Sequence, residues 1–87
     1  MLIRYFAAAS AATGVEEEIL ELDAPITLGE LERTLQARHP GIPGGRRSLS
    51  DVLTRCSFLR NGSATTDRST VLAPSDSLDV LPPFAGG

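Results

Sequence analysis

The stretch Ile26-Thr27-Leu28-Gly29-Glu30-Leu31-Glu32-Arg33-Thr34-Leu35-Gln36-Ala37-Arg38-His39 reads as one amphipathic helix. Thr27 is a good N-cap, and Glu30 completes a Thr-x-x-Glu capping box. Ile26 before the cap and Leu31 inside the first turns can form a hydrophobic staple. Leu28, Leu31 and Leu35 make one apolar stripe, while Glu32, Arg33, Gln36 and Arg38 are polar. Glu30 suits the positive end of the helix dipole, and His39 stands at the negative end. Pro40 and Gly41 stop the helix. A catalytic His39 would need a nucleophile or metal ligand at a recognisable spacing; none stands there, so capping is the preferred role. One good helix covers one face of a sheet, which points to an α+β domain.

Strands flank that helix on both sides. Leu2 to Ala8 alternates, with Ile3, Tyr5 and Ala7 on one face and Leu2, Arg4 and Phe6 on the other. Ala8 to Gly14 is small and polar and suits a loop or hairpin connection, with Gly14 free to take positive φ. Glu16 to Leu22 reads as a second strand, Leu20 and Leu22 inward and Glu21 outward, with a short helix as the alternative. Beyond the helix, Gly41 to Gly45 is a Pro/Gly loop, and Arg46-Arg47 reads as solvated surface rather than an anion site. Ser48 to Arg55 suits a short helix with Leu49, Val52 and Leu53 inward. Cys56 to Arg60 is a strand closing on Asn61-Gly62, a strong hairpin signal, and Ser63 to Thr66 returns. Val71-Leu72-Ala73 is a short apolar segment and Pro74-Ser75-Asp76 a turn. Leu78 and Val80 alternate with Asp79 in the last strand. A helical crossover after the first hairpin suits parallel pairing of the first and last strands.

At 87 residues the chain fits one domain with one modest core. The net charge of −3 and the lack of a basic face argue against nucleic acid. No apolar run approaches a membrane span, and no signal peptide is visible. The single Cys56 excludes an internal disulfide and fits a reducing cytoplasm. It reads as a small buried hydrophobe, with a sulfur relay as the sharper alternative. All eight basic residues are arginines, so no lysine offers an amine for acylation. One histidine, one cysteine and scattered carboxylates supply no triad, metal spacing or phosphate loop.

The last residues carry the chemistry. Leu81 precedes a proline and is biased to extended backbone. Pro82 and Pro83 fix φ and carry no N–H, so they form a stiff stem. Gly86 and Gly87 lack a Cβ and fit a channel too narrow for other residues. Residues 82–87 reach roughly 20 Å when extended, and the carboxylate of Gly87, with a reference pKa of about 3.5, is ionised at neutral pH. A frayed end is the plain alternative. The domain is therefore expected over residues 1–81, with residues 82–87 as a tail.

Arg4-Tyr5-Phe6-Ala7-Ala8, Gly14, His39-Pro40, Asn61-Gly62, Asp76 and Leu81-Pro82-Pro83-Phe84-Ala85-Gly86-Gly87 together resemble the ubiquitin-like MoaD/ThiS family of sulfur carriers. The resemblance runs over essentially the full length. Its most specific part, Pro-Pro-x-Ala-Gly-Gly, is similar to MoaD-like small subunits of molybdopterin synthase; thiazole carriers usually lack the two prolines. The actinobacterial cysteine-synthesis carrier is also close. The resemblance implies a β-grasp fold, a mixed sheet packed against one main helix with a flexible C-terminal tail. It implies that Gly87 is adenylated by an ATP-using, MoeB-like enzyme and then converted to a thiocarboxylate. Pro82, Pro83, Phe84, Ala85 and Gly86 would thread a MoaE-like large subunit, where sulfur passes to cyclic pyranopterin monophosphate. ATP belongs to the partner's reaction; no metal or resident cofactor is implied, and the chain is not catalytic alone. Family position puts Phe6 and Leu81 on the exposed sheet face that meets the large subunit, with ordinary core packing as the alternative. Ala64, Arg60 and Pro74-Ser75-Asp76 depart from the family pattern. A carrier for cysteine or thiazole synthesis, a ubiquitin-type protein modifier and a plain interaction module are the competing readings.

Overall fold

The computed structural model describes residues 1–40, 49–53 and 55–82. The expected Gly41–Gly45 loop, the Arg46-Arg47 pair and the tail beyond Pro82 lie outside the described residues. In chain order the elements are β1 (Leu2–Tyr5), α1 (Ala8–Thr13), β2 (Glu17–Ile19), β3 (Ile26–Thr27), α2 (Leu28–Arg38), α3 (Leu49–Leu53), β4 (Ser57–Arg60), β5 (Ser63–Thr65), β6 (Val71–Leu72) and β7 (Ser77–Leu81).

The main sheet has the order β2-β1-β7-β4-β5, and β3 pairs with β6 in a small second sheet. β1 and β7 are parallel, as the crossover predicts, with Ile3 opposite Leu78 and Tyr5 opposite Val80. The other pairings are antiparallel. The helices cover one face of this sheet. There Ile3, Tyr5, Phe58, Leu78 and Val80 meet Leu28, Leu31 and Leu35 of α2 and Leu49 and Leu53 of α3 in one buried cluster. Each such side chain contributes roughly 1.5–3 kcal/mol by leaving water. This is the mixed, helix-covered sheet of a ubiquitin-like β-grasp domain.

α2 begins as its sequence requires. Thr27 Oγ1 accepts from the Glu30 N–H at 3.1 Å, and Glu30 Oε1 accepts from the Thr27 N–H at 3.1 Å. The carbonyls of Thr70 and Arg68 take the N–H groups of Leu28 and Gly29, each at 2.9 Å, so the first donors of the helix are satisfied. Asn61 and Gly62 take φ 49° and 86°, the left-handed pair that a two-residue hairpin needs.

Several boundaries correct the sequence reading. Ala8 to Gly14 is not a loop: Ala8–Thr13 is helical, buries Ala9, and closes on Gly14 in the left-handed conformation at φ 79°. Alanine needs no periodic pattern to be helical, and Gly14 supplies the stop. The first strand ends at Tyr5, because Ala7 takes φ 50° and turns the chain into α1. Ala7 is consequently exposed and does not share the buried face of Ile3 and Tyr5. β2 is confined to Glu17–Ile19, although Leu20 is buried, Leu22 packs on the core and Glu21 is exposed as expected. Ile26-Thr27 belongs to β3 rather than to the helix, since it pairs with Leu72 and Val71.

Candidate functional site: the open sheet face and the root of the tail

Strand alternation sends one set of side chains under the helices and the other onto a face that, among the described residues, no helix covers. The register lays that open face out in rows. One row runs Ile19, Leu2, Ser77. The next runs Glu17, Arg4, Asp79, Leu59, Ala64. At the tail end of β7, Leu81 stands opposite Ser57. Ile19 is 63% exposed, and Phe6 is 41% exposed. Leu2, Leu59 and Leu81 are half-buried. Apolar side chains left uncovered on one sheet face make it a candidate recognition surface.

Phe6, just past the end of β1, is exposed, and Leu81, the last residue of β7, is half-buried. The Phe6 N–H donates to the Val80 carbonyl at 3.2 Å, tying the end of β1 to the end of β7. Pro82, half-buried, comes directly after. Pro83, Phe84, Ala85, Gly86 and Gly87 lie outside the described residues.

An ion pair stiffens the middle of the face. Arg4 Nε donates to Asp79 Oδ1 at 2.7 Å and Nη2 to Oδ2 at 2.9 Å, a fork-to-carboxylate pair across the parallel strands. The hydrogen bond and then the charge of Asp79 raise the pKa of Arg4 above its ordinary value. Sequence reading missed this pair because its members lie 75 residues apart and only the register joins them.

Other polar contacts among the described residues hold the scaffold. Glu18 accepts from Tyr5 OH at 3.0 Å and bonds His39 Nε2 at 3.0 Å, and Arg38 Nε lies 3.3 Å away. The His39 ring therefore ties the end of α2 to β2, while the backbone N–H of His39 donates to the Leu35 carbonyl. Burial, then the charge of Glu18, push the Tyr5 hydroxyl far above its ordinary pKa, so it stays a donor. Asp76 accepts from Arg60 Nε at 2.8 Å, Asn61 Nδ2 at 3.0 Å and the Ala73 N–H at 2.8 Å. That carboxylate fastens the β4–β5 turn to the β6–β7 turn, which gives Arg60 a structural use. Cys56 is half-buried, and its thiol donates to the Val52 carbonyl at 3.2 Å. Burial, then the charge of Glu32, push its pKa up to about 11. A thiol held neutral in this way is a poor nucleophile, which favours the packing role over the relay.

Among the described residues no group of His, Cys, Asp or Glu is arranged to hold a metal ion. Nor is any described helix long and apolar enough to cross a membrane.

Fold and surface together define a ubiquitin-like protein: a small β-grasp globule with an open sheet face beside the end of β7. The sequence profile of the ThiS family matches residues 3–87, and the chain belongs to this ThiS/MoaD-like sulfur-carrier family. It is 31% identical to the molybdopterin synthase sulfur carrier subunit of Homo sapiens, over 98% of this chain and 91% of that one. It is 28% identical to small archaeal modifier protein 3 of Haloferax volcanii, over 98% and 96%. The crystal structure of SAMP1 from Haloferax volcanii superimposes with a TM-score of 0.74 at 26% identity, covering 100% of this chain and 98% of that one. Its role is accordingly that of the family, a sulfur carrier or ubiquitin-like modifier.

Proposed function

We propose that the chain works through its C-terminal acyl group, with Gly87 as the reacting residue and the globule as its holder. The observation that carries this is the course of β7. The strand lies between β1 and β4, and its end, Leu81 and Pro82, is half-buried beside the exposed Phe6. That β7 ends beside Phe6 and the open face supports a tail that starts there. A carboxylate is a poor electrophile, so one Gly87 oxygen first attacks the α-phosphorus of ATP on a MoeB-like adenylating enzyme, and pyrophosphate leaves. A hydrosulfide equivalent then attacks the acyl carbon and AMP leaves, giving a thiocarboxylate. Pro82 and Pro83 hold the stem, and Phe84, Ala85 and Gly86 thread the partner's channel, where positioning supplies much of the acceleration.

Two readings of the acceptor share this intermediate. In one, the thiocarboxylate donates sulfur to cyclic pyranopterin monophosphate in a MoaE-like large subunit that packs on Phe6 and Leu81. In the other, the activated acyl group is joined to amines of other proteins, a reading favoured by the likeness to the two archaeal modifiers. We adopt the general form, a C-terminally activated sulfur carrier or modifier, in which the acceptor is what the experiment reads. The chain suits the donor role, since its side chains include no lysine amine to accept an acyl group.

Incubation with an adenylating enzyme of this family, ATP and sulfide tests the proposal. Intact-mass measurement should show one sulfur-for-oxygen exchange, localised to Gly87. Lysine-linked conjugates in cell extract that vanish with Gly87 would select the modifier reading. Sulfur transfer to the pyranopterin in the presence of a large subunit would select the other. A variant lacking Gly87 that still gains sulfur would overturn both.

A further inference from the structure

Beside the root of the tail the chain forms a cleft of about 380 Å³, lined by Arg4, Tyr5, Phe6, Ala7, Ser10, Glu16 and Glu17. Its walls come from the end of β1, the start of α1 and the approach to β2. The Tyr5 N–H donates to the Glu16 carbonyl at 2.8 Å and fixes the spacing between two of these walls. Ala7, at φ 50° and ψ −123°, makes the corner. A residue with a Cβ is strained there, and such strain gathers where a surface has a task.

The charges of the cleft are unbalanced. The fork of Arg4 is committed to Asp79. Glu17 reaches Arg4 only through its field. Among the described residues, the side chains of Glu16 and Glu17 form no hydrogen bond or ion pair. Both are exposed, and the ring of Phe6 stands open in the same cleft. Two free carboxylates beside an open aromatic ring match a planar cation. A guanidinium stacks on an aromatic face and pairs with carboxylates through its fork, whereas an ammonium offers only a point charge.

We propose that this cleft receives an arginine side chain from the protein that takes up the tail, stacked on Phe6 and paired with Glu16 and Glu17. This rests on the reading that another protein engages the C-terminus; it adds the chemistry of that protein's contact surface. The cleft shares Phe6 with the end of β7, where the Phe6 N–H meets the Val80 carbonyl at 3.2 Å, so a partner occupying it also sits beside the strand that leads to the C-terminus.

Two measurements test it. In the first, amide shifts of the full chain are followed by NMR against ethylguanidinium, with methylammonium at equal ionic strength as the comparison. Saturable shifts should centre on Phe6, Ala7, Ser10 and Glu17, be weaker with methylammonium, and vanish in the Glu16→Gln/Glu17→Gln variant. Phe6→Leu should erase the preference for guanidinium. Unsaturable shifts, or shifts that survive the double variant, overturn the proposal. Shifts at these amides that grow with protein concentration, without the probe, would assign the cleft to a second copy of the chain and also overturn it. In the second measurement, Glu16→Gln/Glu17→Gln should raise the KM for adenylation on the order of tenfold at unchanged kcat, the effect shrinking with salt. If deletion of Gly87 abolishes adenylation while the double variant behaves as the parent, the cleft proposal fails and the C-terminal one stands. If deletion of Gly87 is harmless, the C-terminal reading fails, and the guanidinium titration alone decides the cleft.

Discussion

The two faces of the sheet are built by the same strands and have opposite characters. Under the helices, Ile3, Phe58, Leu78 and Val80 are sealed from water. One residue along each strand, the other face shows Arg4, Asp79, Leu59, Leu81 and, on β2, Ile19. Its apolar side chains are left half-covered, and its middle is fixed by an ion pair instead of by packing. The inner face holds the globule together. The outer face leaves Ile19 exposed and Leu2, Leu59 and Leu81 half-buried, and Arg4 with Asp79 ties β1 to β7 across it.

Substitutions can break that contrast. Phe58→Ala should have the largest effect on stability, about 3–5 kcal/mol, because it empties the centre of the inner face; urea unfolding measures it. Asp76→Ala should cost about 1–3 kcal/mol by leaving the Ala73 N–H and the Asn61 amide without their acceptor.

The same carboxylate gives a pH signature. The bond from Asn61, then that from Ala73, holds its pKa below the ordinary 3.8. Its contribution is therefore complete above about pH 4 and is lost as pH falls through the folded-state value. Asp76→Asn should flatten that part of the acid-unfolding curve, and an unchanged curve would remove Asp76 from the account. Thr27→Ala should cost about 1 kcal/mol through the lost cap on α2. Phe6→Ala should shift stability least, by roughly 0.5 kcal/mol or less, yet weaken binding to the protein that engages the tail. A Phe6 variant that unfolds readily and binds normally would reverse the roles given to the two faces.

The inner face was legible in the sequence because its signals are local. The capping box at Thr27 and Glu30, the leucine stripe of α2 and the Asn61-Gly62 turn each lie within one element. The parallel pairing of β1 and β7 came from the crossover between them. On the outer face, alternation put Leu2 and Arg4 on one side of β1, while the interface role of Phe6 and Leu81 came only through resemblance; Phe6 is exposed and Leu81 half-buried. The Arg4–Asp79 and Glu18–His39 contacts join residues 75 and 21 apart. No spacing rule reaches across a register that has not yet been fixed. α1 was missed because its run of small residues shows neither a cap nor a period, and Ala7 has no feature that announces a positive φ. The proposed reactive end was singled out by its order of residues, two prolines and then two glycines after an apolar strand, and its activation was inferred from resemblance.

The central claim is that chemistry and fold are separable, one in Gly87 and the other in the globule. The most direct measurement pairs thermal unfolding with ATP–pyrophosphate exchange on an adenylating enzyme of the family, for the full chain and for the chain lacking Gly87. The account predicts superimposable unfolding curves, with exchange in the full chain and none in the shortened one. Exchange that persists without Gly87, or an unfolding curve that collapses with it, would contradict the account.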